Sequence, residues 1–312
     1  MSRAIVFPGQ GAQAVGMGRE LAEAFTVARD VFGEVDEALK QKLSALMWEG
    51  PENELTLTEN AQPALMAVSM AVVRVLETQG NWHIGEKTAF VAGHSLGEYS
   101  ALAAAGTFTL ADTARLLKIR GQAMQKAVPV GQGAMAALLG VEIDQAREIA
   151  AEAAQGEVCE AANDNAPGQV VVSGAKAAVE RAMAIAADRG FKRSILLPVS
   201  APFHCALMQP AADAMATALS QVTLKAPVVP VMANVTASPT RDPEEIRKLL
   251  VAQVTGTVRW RECVLAMKAA GVDALVEAGS GKVLAGLAKR IDKEIAAVSL
   301  QTPADIEAFL KA

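Results

Sequence analysis

The sequence has 312 residues, of which 52% are hydrophobic and 20% are charged, and its formal net charge is −5. This length is typical of one large α/β domain with an insertion or of two domains, and the apolar fraction is enough for a sizeable core. The acidic balance argues against a nucleic-acid-binding protein, which usually presents a basic surface.

The composition also gives no sign of secretion or of membrane insertion. The N-terminal stretch MSRAIVFPGQG lacks the apolar region of a signal peptide. The longest segment without charged residues, 194–212, contains three prolines and is not a membrane span. The three cysteines have no metal-ligand spacing, which indicates reduced thiols. We therefore expect a cytoplasmic protein that contacts no membrane.

The first part of the chain alternates strands and helices. The segment RAIVF (3–7) is typical of a buried strand, and residues 61–80 are typical of a long apolar helix. TAFVAGHS predicts a strand that ends in a turn, and residues 109–129 predict a helix that begins after Thr109. This order favours a mostly parallel sheet covered by helices.

The middle of the chain has a different order of elements. It contains a strand at 133–141, a helix, two strands in EVCEAAN and GQVVVSG, a second helix and a last strand in FKRSILLPV. The order β-α-β-β-α-β is typical of a ferredoxin-like unit. We expect residues 128–199 to form an inserted small subdomain. Residues 1–127 and 200–312 would then form a large, hydrolase-like α/β catalytic subdomain.

The pentapeptide GHSLG, residues 93–97, fits the G-x-S-x-G pattern of a serine on a sharp strand-to-helix turn. Such a turn exposes Ser95 at the carboxyl end of the sheet, beside free N–H groups that can stabilise an oxyanion. The alternative is that Ser95 only caps the following helix. The motif alone does not separate these two interpretations.

A serine nucleophile needs a general base, and the chain has three histidines. His83 lies in a polar loop, and His94 adjoins Ser95, so its ring should point away from the exposed side of the serine. Elimination leaves His204, in VSAPFHCALMQP, as the base of a catalytic Ser95. The alternative is a buried histidine with a purely structural role.

Arg120 falls on the apolar side of the helix predicted over 109–129. Leu116 and Met124 lie four residues before and after it on that side, whereas Arg115 falls on the polar side. A buried arginine needs a partner. That partner is either an acidic residue in a structural ion pair or a substrate carboxylate, which a guanidinium binds through two N–H groups.

The loop FPGQGAQ directly follows the first strand and therefore also lies at the carboxyl end of the sheet. It lacks the third glycine of a dinucleotide-binding G-x-G-x-x-G loop, so no nucleotide cofactor is expected. We expect this loop to bring the backbone N–H of Gln10 beside Ser95.

Taken together, these segments resemble the malonyl-CoA:acyl carrier protein transacylase family of bacterial fatty acid synthesis. The resemblance extends from Ile5 to about Ile291 and follows the family's order of motifs. It rests on FPGQGAQ, GHSLGEYSA, the Arg of KIRGQAMQ, GAMAALLG, ANDNAPGQVVVSG, SAPFHCALM and GSGKVLAGLAKRI. It implies ping-pong transfer of a malonyl group from malonyl-CoA to the phosphopantetheine thiol of acyl carrier protein, with no metal or redox cofactor.

The resemblance also implies a role for individual positions. Ser95 resembles the acylated nucleophile, His204 its base, and Arg120 the residue that binds the malonyl carboxylate. Gln10 and Leu96 match the two residues whose backbone N–H groups form the oxyanion hole.

Further positions are implied by the same resemblance. The family orients its histidine through a backbone carbonyl, and the matching position is Gln253, although TGT here replaces a more usual asparagine–proline turn. His94, Asn163 and Gln169 match positions that line the site. Phe203 replaces a common serine and is similar to malonyl-selecting polyketide synthase domains, since its ring would crowd an α-methyl group. The alternative is that Phe203 fills core space.

Three other functions stay open at this point. A serine hydrolase would use the same motif, although such enzymes generally orient the histidine with an acidic residue, and none stands out here. A non-catalytic carrier-binding module would retain the fold without the chemistry. An acyltransferase of a polyketide pathway would use the same chemistry with another carrier protein.

Docking of a carrier protein, which is acidic as a class, requires a local basic patch on this acidic chain. One candidate patch consists of Lys192 and Arg193. The other consists of Arg259, Arg261, Lys282, Lys289 and Arg290. No interface signal stands out in the sequence, so we expect a monomer.

Overall fold

The computed structural model describes residues 2–312. The strands in this part of the chain are β1 Arg3–Phe7, β2 Phe90–Gly93, β3 Gly133–Leu139, β4 Cys159–Ala166, β5 Gln169–Ala175, β6 Arg193–Leu196, β7 Val231–Ala233, β8 Ser238–Thr240, β9 Ala274–Ala278 and β10 Ala296–Leu300. They form two separate sheets, one of six strands and one of four.

Helices connect and cover these strands. They are α1 Arg19–Ala24, α2 Thr26–Leu39, α3 Leu43–Glu49, α4 Glu52–Leu55, α5 Thr58–Gly80, α6 Ile84–Lys87, α7 Gly97–Ala104, α8 Leu110–Ala127, α9 Ile143–Ala154, α10 Lys176–Asp188, α11 Gln209–Ser220, α12 Pro243–Thr255, α13 Trp260–Ala269, α14 Val283–Ile291 and α15 Pro303–Lys311. A short 3₁₀ turn, Ala206–Met208, precedes α11.

The larger sheet has the strand order β10-β9-β1-β2-β7-β8. The pairs from β10 to β7 are all parallel, and only β8 runs antiparallel to its neighbour β7. The prediction of a mostly parallel sheet with helices is thereby confirmed. Because β1, β2 and β7 run in the same direction, the loops that follow them meet at one edge of the sheet.

The long helix α5 forms the centre of the main core. Its sequence is apolar on nearly all sides, and 17 of its 23 residues are buried. It packs against α2, α7 and α8. Helix α8 in turn buries Leu110, Ala114, Leu117 and Met124, the stripe that its periodicity predicts.

The smaller sheet is antiparallel and has the order β4-β5-β3-β6. Its elements follow one another as β3-α9-β4-β5-α10-β6, in agreement with the predicted order of strands and helices. One face packs against α9 and α10, with Ile149 and Val179 in the shared core. From the other face, Met135 and Val171 join the main core, so the two sheets enclose the space between them.

Some elements were not among the predicted ones. The C-terminal strand β10 and helix α15 are present, and β8 is a three-residue strand that contains Pro239. Such short elements carry too little periodicity to be recognised locally.

None of the helices within residues 2–312 is both long and apolar enough to cross a membrane. The three cysteines are buried and unpaired, as the sequence indicated. Burial raises the pKa of the Cys159 and Cys205 thiols to about 11.

Candidate active site

Ser95 lies on the turn between β2 and α7, as predicted. Its backbone has φ 53°, the left-handed region that non-glycine residues rarely adopt. The turn is tight, because a Cβ atom on Gly93 would lie 1.9 Å from the backbone of Gly97, and one on Gly97 would lie 2.2 Å from the carbonyl oxygen of Phe7. Leu96 rather than Ser95 is the N-cap of α7, and no side chain caps this helix end. The helix-cap interpretation of Ser95 is therefore wrong.

Ser95 faces a cavity of about 480 Å³. The cavity lies at the carboxyl edge of the larger sheet, and the smaller sheet closes it. Its lining includes Ser95, Arg120 and His204. Two strands of the smaller sheet also contribute, β3 through Met135 and β4 through Asn163.

His204 lies within hydrogen-bonding distance of the serine, with Nε2 2.8 Å from Ser95 Oγ. Its Nδ1 lies 2.9 Å from the backbone carbonyl oxygen of Gln253, which can only accept a hydrogen bond. The proton of a neutral ring is therefore on Nδ1, and the lone pair of Nε2 faces the serine hydroxyl. Burial, together with the positive charge of Arg120, lowers the pKa of His204 to about 3. The imidazole is consequently neutral at pH 7 and able to accept a proton.

Arg120 is almost fully buried, with 1% of its surface exposed. Its helix begins where predicted, with the Thr109 side chain accepting a hydrogen bond from the backbone N–H of Asp112. The Nη1 group donates to Gln62 Oε1 over 2.7 Å. The Nη2 group donates to Gln253 Oε1 over 2.9 Å and to Ser95 Oγ over 3.1 Å.

The surroundings of Arg120 leave its charge without a direct counter-ion. Its hydrogen-bond acceptors within residues 2–312 are all neutral, and its buried Nε has no partner there. The structural ion pair that the sequence left open is thus absent from this part of the chain. A buried guanidinium that lines a cavity and has only neutral hydrogen-bond partners is suited to bind a carboxylate.

A network of buried polar side chains makes hydrogen bonds to the backbone of Ser95. Gln253 Nε2 donates to the backbone oxygen of Ser95 over 3.0 Å and to Glu98 Oε2 over 2.9 Å. Asn234 Oδ1 accepts a hydrogen bond from the backbone N–H of Ser95 over 2.8 Å, and its own backbone N–H donates to Glu98. Burial raises the pKa of Glu98 to about 7.

The loop that carries Gln10 packs against the turn at Ser95, since a Cβ atom on Gly9 would lie 2.8 Å from the backbone oxygen of His94. Gln10 and Leu96 both line the cavity. Within residues 2–312, neither of their backbone N–H groups donates to a protein acceptor. The loop after β1 and the N-terminal end of α7 therefore present two donors that an oxyanion can use.

The remaining site residues divide into two groups. His94, Asn163 and Phe203 line the cavity, as the family resemblance implied. His94 Nε2 lies 2.8 Å from Asn165 Oδ1, and burial lowers the pKa of His94.

Gln169 does not line the cavity, so that prediction is wrong. It pairs with Ala166 at the turn between β4 and β5, and its side chain accepts a hydrogen bond from Arg290 on α14. This end of the hairpin lies six residues beyond Asn163 along the chain.

Four buried polar residues at the site were not recognised in the sequence: Thr58, Gln62, Glu98 and Asn234. A usable signal existed for Gln62, which interrupts an apolar helix face as Arg120 does. Glu98 likewise lies in the apolar segment LGEYSALAAAG. Asn234 follows β7 directly and belongs to the same sheet edge as Ser95.

The candidate docking cations differ in their partners. Arg259 pairs with Glu262, and Arg261 pairs with Glu142. No ion pair within residues 2–312 involves the other candidates, Lys192, Arg193, Lys282, Lys289 and Arg290. Of these, Lys192 and Arg193 lie immediately before or at the start of the edge strand β6, which leads into the cavity-lining residues 197–199.

A serine hydroxyl in contact with a neutral imidazole, beside free backbone donors, is the arrangement that covalent acyl-enzyme chemistry uses. The chain belongs to the acyl transferase family, because the family model described as "Acyl transferase domain" matches residues 4–299.

Individual relatives are similar over nearly the full length. A malonyl CoA-acyl carrier protein transacylase of Escherichia coli K12 is 46% identical over 308 residues, which cover 99% of this chain and 98% of that protein. The crystal structure of an acyl-carrier-protein-S-malonyltransferase from Bartonella henselae has 58% identity and a TM-score of 0.97, covering 100% and 99% of the two chains. A malonyl-transacylase solved in complex with its type II PKS acyl-carrier protein has 43% identity and a TM-score of 0.96, covering 100% and 99%.

Proposed function

We propose that this chain is a malonyl-CoA:acyl carrier protein transacylase, which transfers a malonyl group through an ester on Ser95. The observation that carries this proposal is the buried Arg120, whose guanidinium has only neutral partners and donates a hydrogen bond to Ser95 Oγ over 3.1 Å. A cation at this distance from the nucleophile suits a short acyl group that ends in a carboxylate. The names of the relatives support the same substrate pair.

The first half-reaction acylates the serine. Ser95 Oγ attacks the thioester carbonyl carbon of malonyl-CoA while His204 Nε2 takes the hydroxyl proton. The carbonyl oxygen becomes an oxyanion and accepts hydrogen bonds from the backbone N–H groups of Gln10 and Leu96. The C–S bond then breaks, and His204 returns its proton to the CoA sulfur, which leaves as a thiol.

The second half-reaction runs through the same groups. The phosphopantetheine thiol of the carrier protein gives its proton to His204 as its sulfur attacks the malonyl-serine ester. The oxyanion forms again in the same hole. The C–O bond then breaks, and Ser95 recovers its proton from His204. Atoms and protons balance within the protein and its two substrates.

The backbone carbonyl of Gln253 keeps the histidine in the working orientation. It accepts from Nδ1 over 2.9 Å, so Nε2 is left to exchange the proton with Ser95. No carboxylate takes this role, because the hydrogen-bond partner of Nδ1 is a neutral carbonyl. This distinguishes the site from hydrolases that orient the histidine with an acid.

Phe203 selects against a branched acyl group in this proposal. Its ring lines the cavity next to the base and is 8% exposed. An α-methyl group on the substrate would compete with the ring for space, which favours malonyl over methylmalonyl groups.

The carrier protein docks on the surface around β6. Ile195 and Leu196 are 53% and 48% exposed there, next to Lys192 and Arg193. The residues that follow, 197–199, line the cavity. An apolar strip with unpaired cations at the mouth of the site suits an acidic carrier protein whose prosthetic arm must reach Ser95.

The proposal extends to the architecture and the setting. The small unit, residues 128–199, is a ferredoxin-like insertion into a hydrolase-like large unit, residues 1–127 and 200–312. Support comes from its strand order β4-β5-β3-β6 and from its own core. The protein works in the cytoplasm as a monomer and supplies fatty acid synthesis.

Intact-protein mass spectrometry after brief exposure to malonyl-CoA tests the proposal. We expect one malonyl adduct on the wild-type chain and none on Ser95→Ala, and we expect added carrier protein to discharge the adduct much faster than water does. Free malonate without an adduct would instead indicate a hydrolase. If the chain forms no adduct and turns over no acyl-CoA, the remaining interpretation is a non-catalytic carrier-binding module.

A further inference from the structure

A continuous chain of hydrogen bonds joins Arg120 to the loop that carries Gln10. Arg120 Nη1 donates to Gln62 Oε1 over 2.7 Å. Gln62 Nε2 donates to Thr58 Oγ1 over 2.9 Å, and Thr58 Oγ1 donates to Gln10 Oε1 over 2.7 Å. Residues 120, 62, 58 and 10, which we call the relay, come from three separate segments of the chain.

The direction of the relay is fixed by its first member. A guanidinium can only donate, so the amide oxygen of Gln62 must face Arg120 and its amide nitrogen must face Thr58. The Thr58 oxygen thus accepts one hydrogen bond, and its single proton is left for the carbonyl oxygen of the Gln10 side chain. Each hydrogen bond in the series therefore orients the next.

Burial makes the relay rigid. Thr58 and Gln62 are 0% and 1% exposed, so an unpaired polar atom at either position would be costly. Gly121 allows the close approach of the two helices, since a Cβ atom there would lie 2.4 Å from the Cα of Glu59. The first turn of α5 and the turn of α8 around Arg120 are consequently locked together.

The far end of the relay is the side chain of Gln10, on a loop whose preceding residue, Gly9, packs against the backbone of His94. The Gln10 side chain has Thr58 as its hydrogen-bond partner within residues 2–312. Gln10 lines the cavity, and its backbone N–H has no protein acceptor within the same residues. The next side-chain restraints on the loop lie further along, where Gln13 accepts from Gly11 and Ser280 donates to the carbonyl of Ala12. At Gln10 itself, the hydrogen bond from Thr58 is the side-chain restraint that adds to the packing of Gly9.

We infer that Thr58 is a positioning residue of the transfer reaction, which holds the oxyanion loop through the side chain of Gln10 in an orientation set by Arg120. This inference rests on the proposed function. It links the group that binds the substrate carboxylate to the group that stabilises the transition state. Thr58 itself touches neither the substrate nor the reacting atoms.

The test compares Thr58→Val, which keeps the shape and removes the hydroxyl, with Thr58→Ser, which keeps the hydroxyl. Loss of an oxyanion donor costs about 10²–10³ in kcat, and misplacing one costs less, so we expect about a tenfold lower kcat for Thr58→Val. The KM for malonyl-CoA should change less than about twofold, because Arg120 keeps its other partners. Thr58→Ser should stay within about twofold of the wild-type kcat.

A double-mutant cycle separates positioning from packing. Gln10→Ala removes the other end of the same hydrogen bond and leaves the backbone N–H in place. We expect the Thr58→Val/Gln10→Ala double variant to be no slower than the slower single variant. Additive losses would overturn the inference, since they would mean that Thr58 acts independently of Gln10.

Two further results would also overturn it: a wild-type kcat in a folded Thr58→Val chain, and an equal loss in Thr58→Ser. If Thr58→Val does not fold, the kcat of Gln10→Ala tests the inference instead. A wild-type kcat in Gln10→Ala would show that the Gln10 side chain does not position the oxyanion loop. A wild-type chain that transfers no malonyl group would refute the proposed function itself, which the variants do not address.

Discussion

Arg120 Nη2 donates a hydrogen bond to Ser95 Oγ over 3.1 Å, so the buried cation and the serine hydroxyl are in direct contact. In a malonyl thioester, the carboxylate carbon is two bonds from the carbonyl carbon that the serine attacks. A malonyl group attached to Ser95 would therefore have its carboxylate close to the guanidinium of Arg120.

The first prediction concerns this cation. Arg120→Ala should lower kcat/KM for malonyl-CoA by about 10²-fold or more, because the carboxylate would lose a buried charged partner. The value for acetyl-CoA should fall much less, so the preference for malonyl over acetyl groups should collapse. Steady-state kinetics with both substrates measures this ratio. Arg115→Ala, on the exposed side of the same helix, is the matched control, and an unchanged ratio in Arg120→Ala would contradict the carboxylate role.

The second prediction concerns Phe203. Phe203→Ala should raise kcat/KM for methylmalonyl-CoA relative to malonyl-CoA by about tenfold or more, since one methyl group in a pocket is worth about 10–200-fold. Competition between the two thioesters, read out by the mass of the acylated carrier protein, gives the ratio. Phe191→Ala alters a ring that packs against the small core instead. If both variants keep the wild-type ratio, the ring of Phe203 only fills space.

The third prediction concerns pH. The pKa of His204 is lowered from 6.5 to about 3, so the neutral base persists on the acid side of neutrality. An unperturbed histidine would be only about one-tenth neutral at pH 5.5, which would cost about tenfold in rate. Two buried carboxyl groups also titrate in this range: Glu98, with a pKa of about 7, and Asp164, with a pKa of about 6.

The measurement is the single-turnover rate of Ser95 acylation in the Glu98→Gln/Asp164→Asn variant, which removes both of these titrations and keeps an acceptor oxygen at each position. We expect this rate to stay flat from pH 7.5 to pH 5.5. A midpoint near 6.5 in this variant would mean that His204 titrates as an ordinary histidine. A midpoint near 6 or 7 that occurs only in the wild-type chain belongs to Asp164 or Glu98, respectively.

The fourth prediction concerns docking. Arg193→Glu should raise the KM for the carrier protein by about fivefold or more and leave the KM for malonyl-CoA unchanged, because only the carrier meets the surface around β6. The effect should shrink at high salt. Lys311→Glu, a charge-matched change on the exposed C-terminal helix, should alter neither constant. Equal increases for both substrates in Arg193→Glu would place the effect in the site rather than at the docking surface.

Local patterns in the sequence predicted much of the fold and of the site. The glycines of GHSLG and the apolar stripe of α8 act over a few residues, so the turn at Ser95 and the burial of Arg120 could be inferred directly. His204 followed from the small number of histidines. In each case, the physical cause lies within one or two turns of the chain.

The parts that local patterns missed depend on distant partners. The contact of His204 with the Gln253 carbonyl joins positions 49 residues apart, and the resemblance to the family, not the local motif, indicated it. Thr58 and Gln62 are connected to Arg120 by hydrogen bonds only when α8 packs against α5. Gln169 was misplaced because the resemblance gave its position along the hairpin but not the direction in which its side chain points.

The order of the elements along the chain also determines when the site can form during synthesis on the ribosome. The nucleophile precedes its base by 109 residues, and the strand β9, which flanks β1 in the sheet, comes later still. At about 5–20 residues per second, a ribosome needs roughly 5–20 s to pass from Ser95 to His204. During synthesis, the serine is therefore exposed as an ordinary alcohol and gains its reactivity only when nearly the whole chain has emerged.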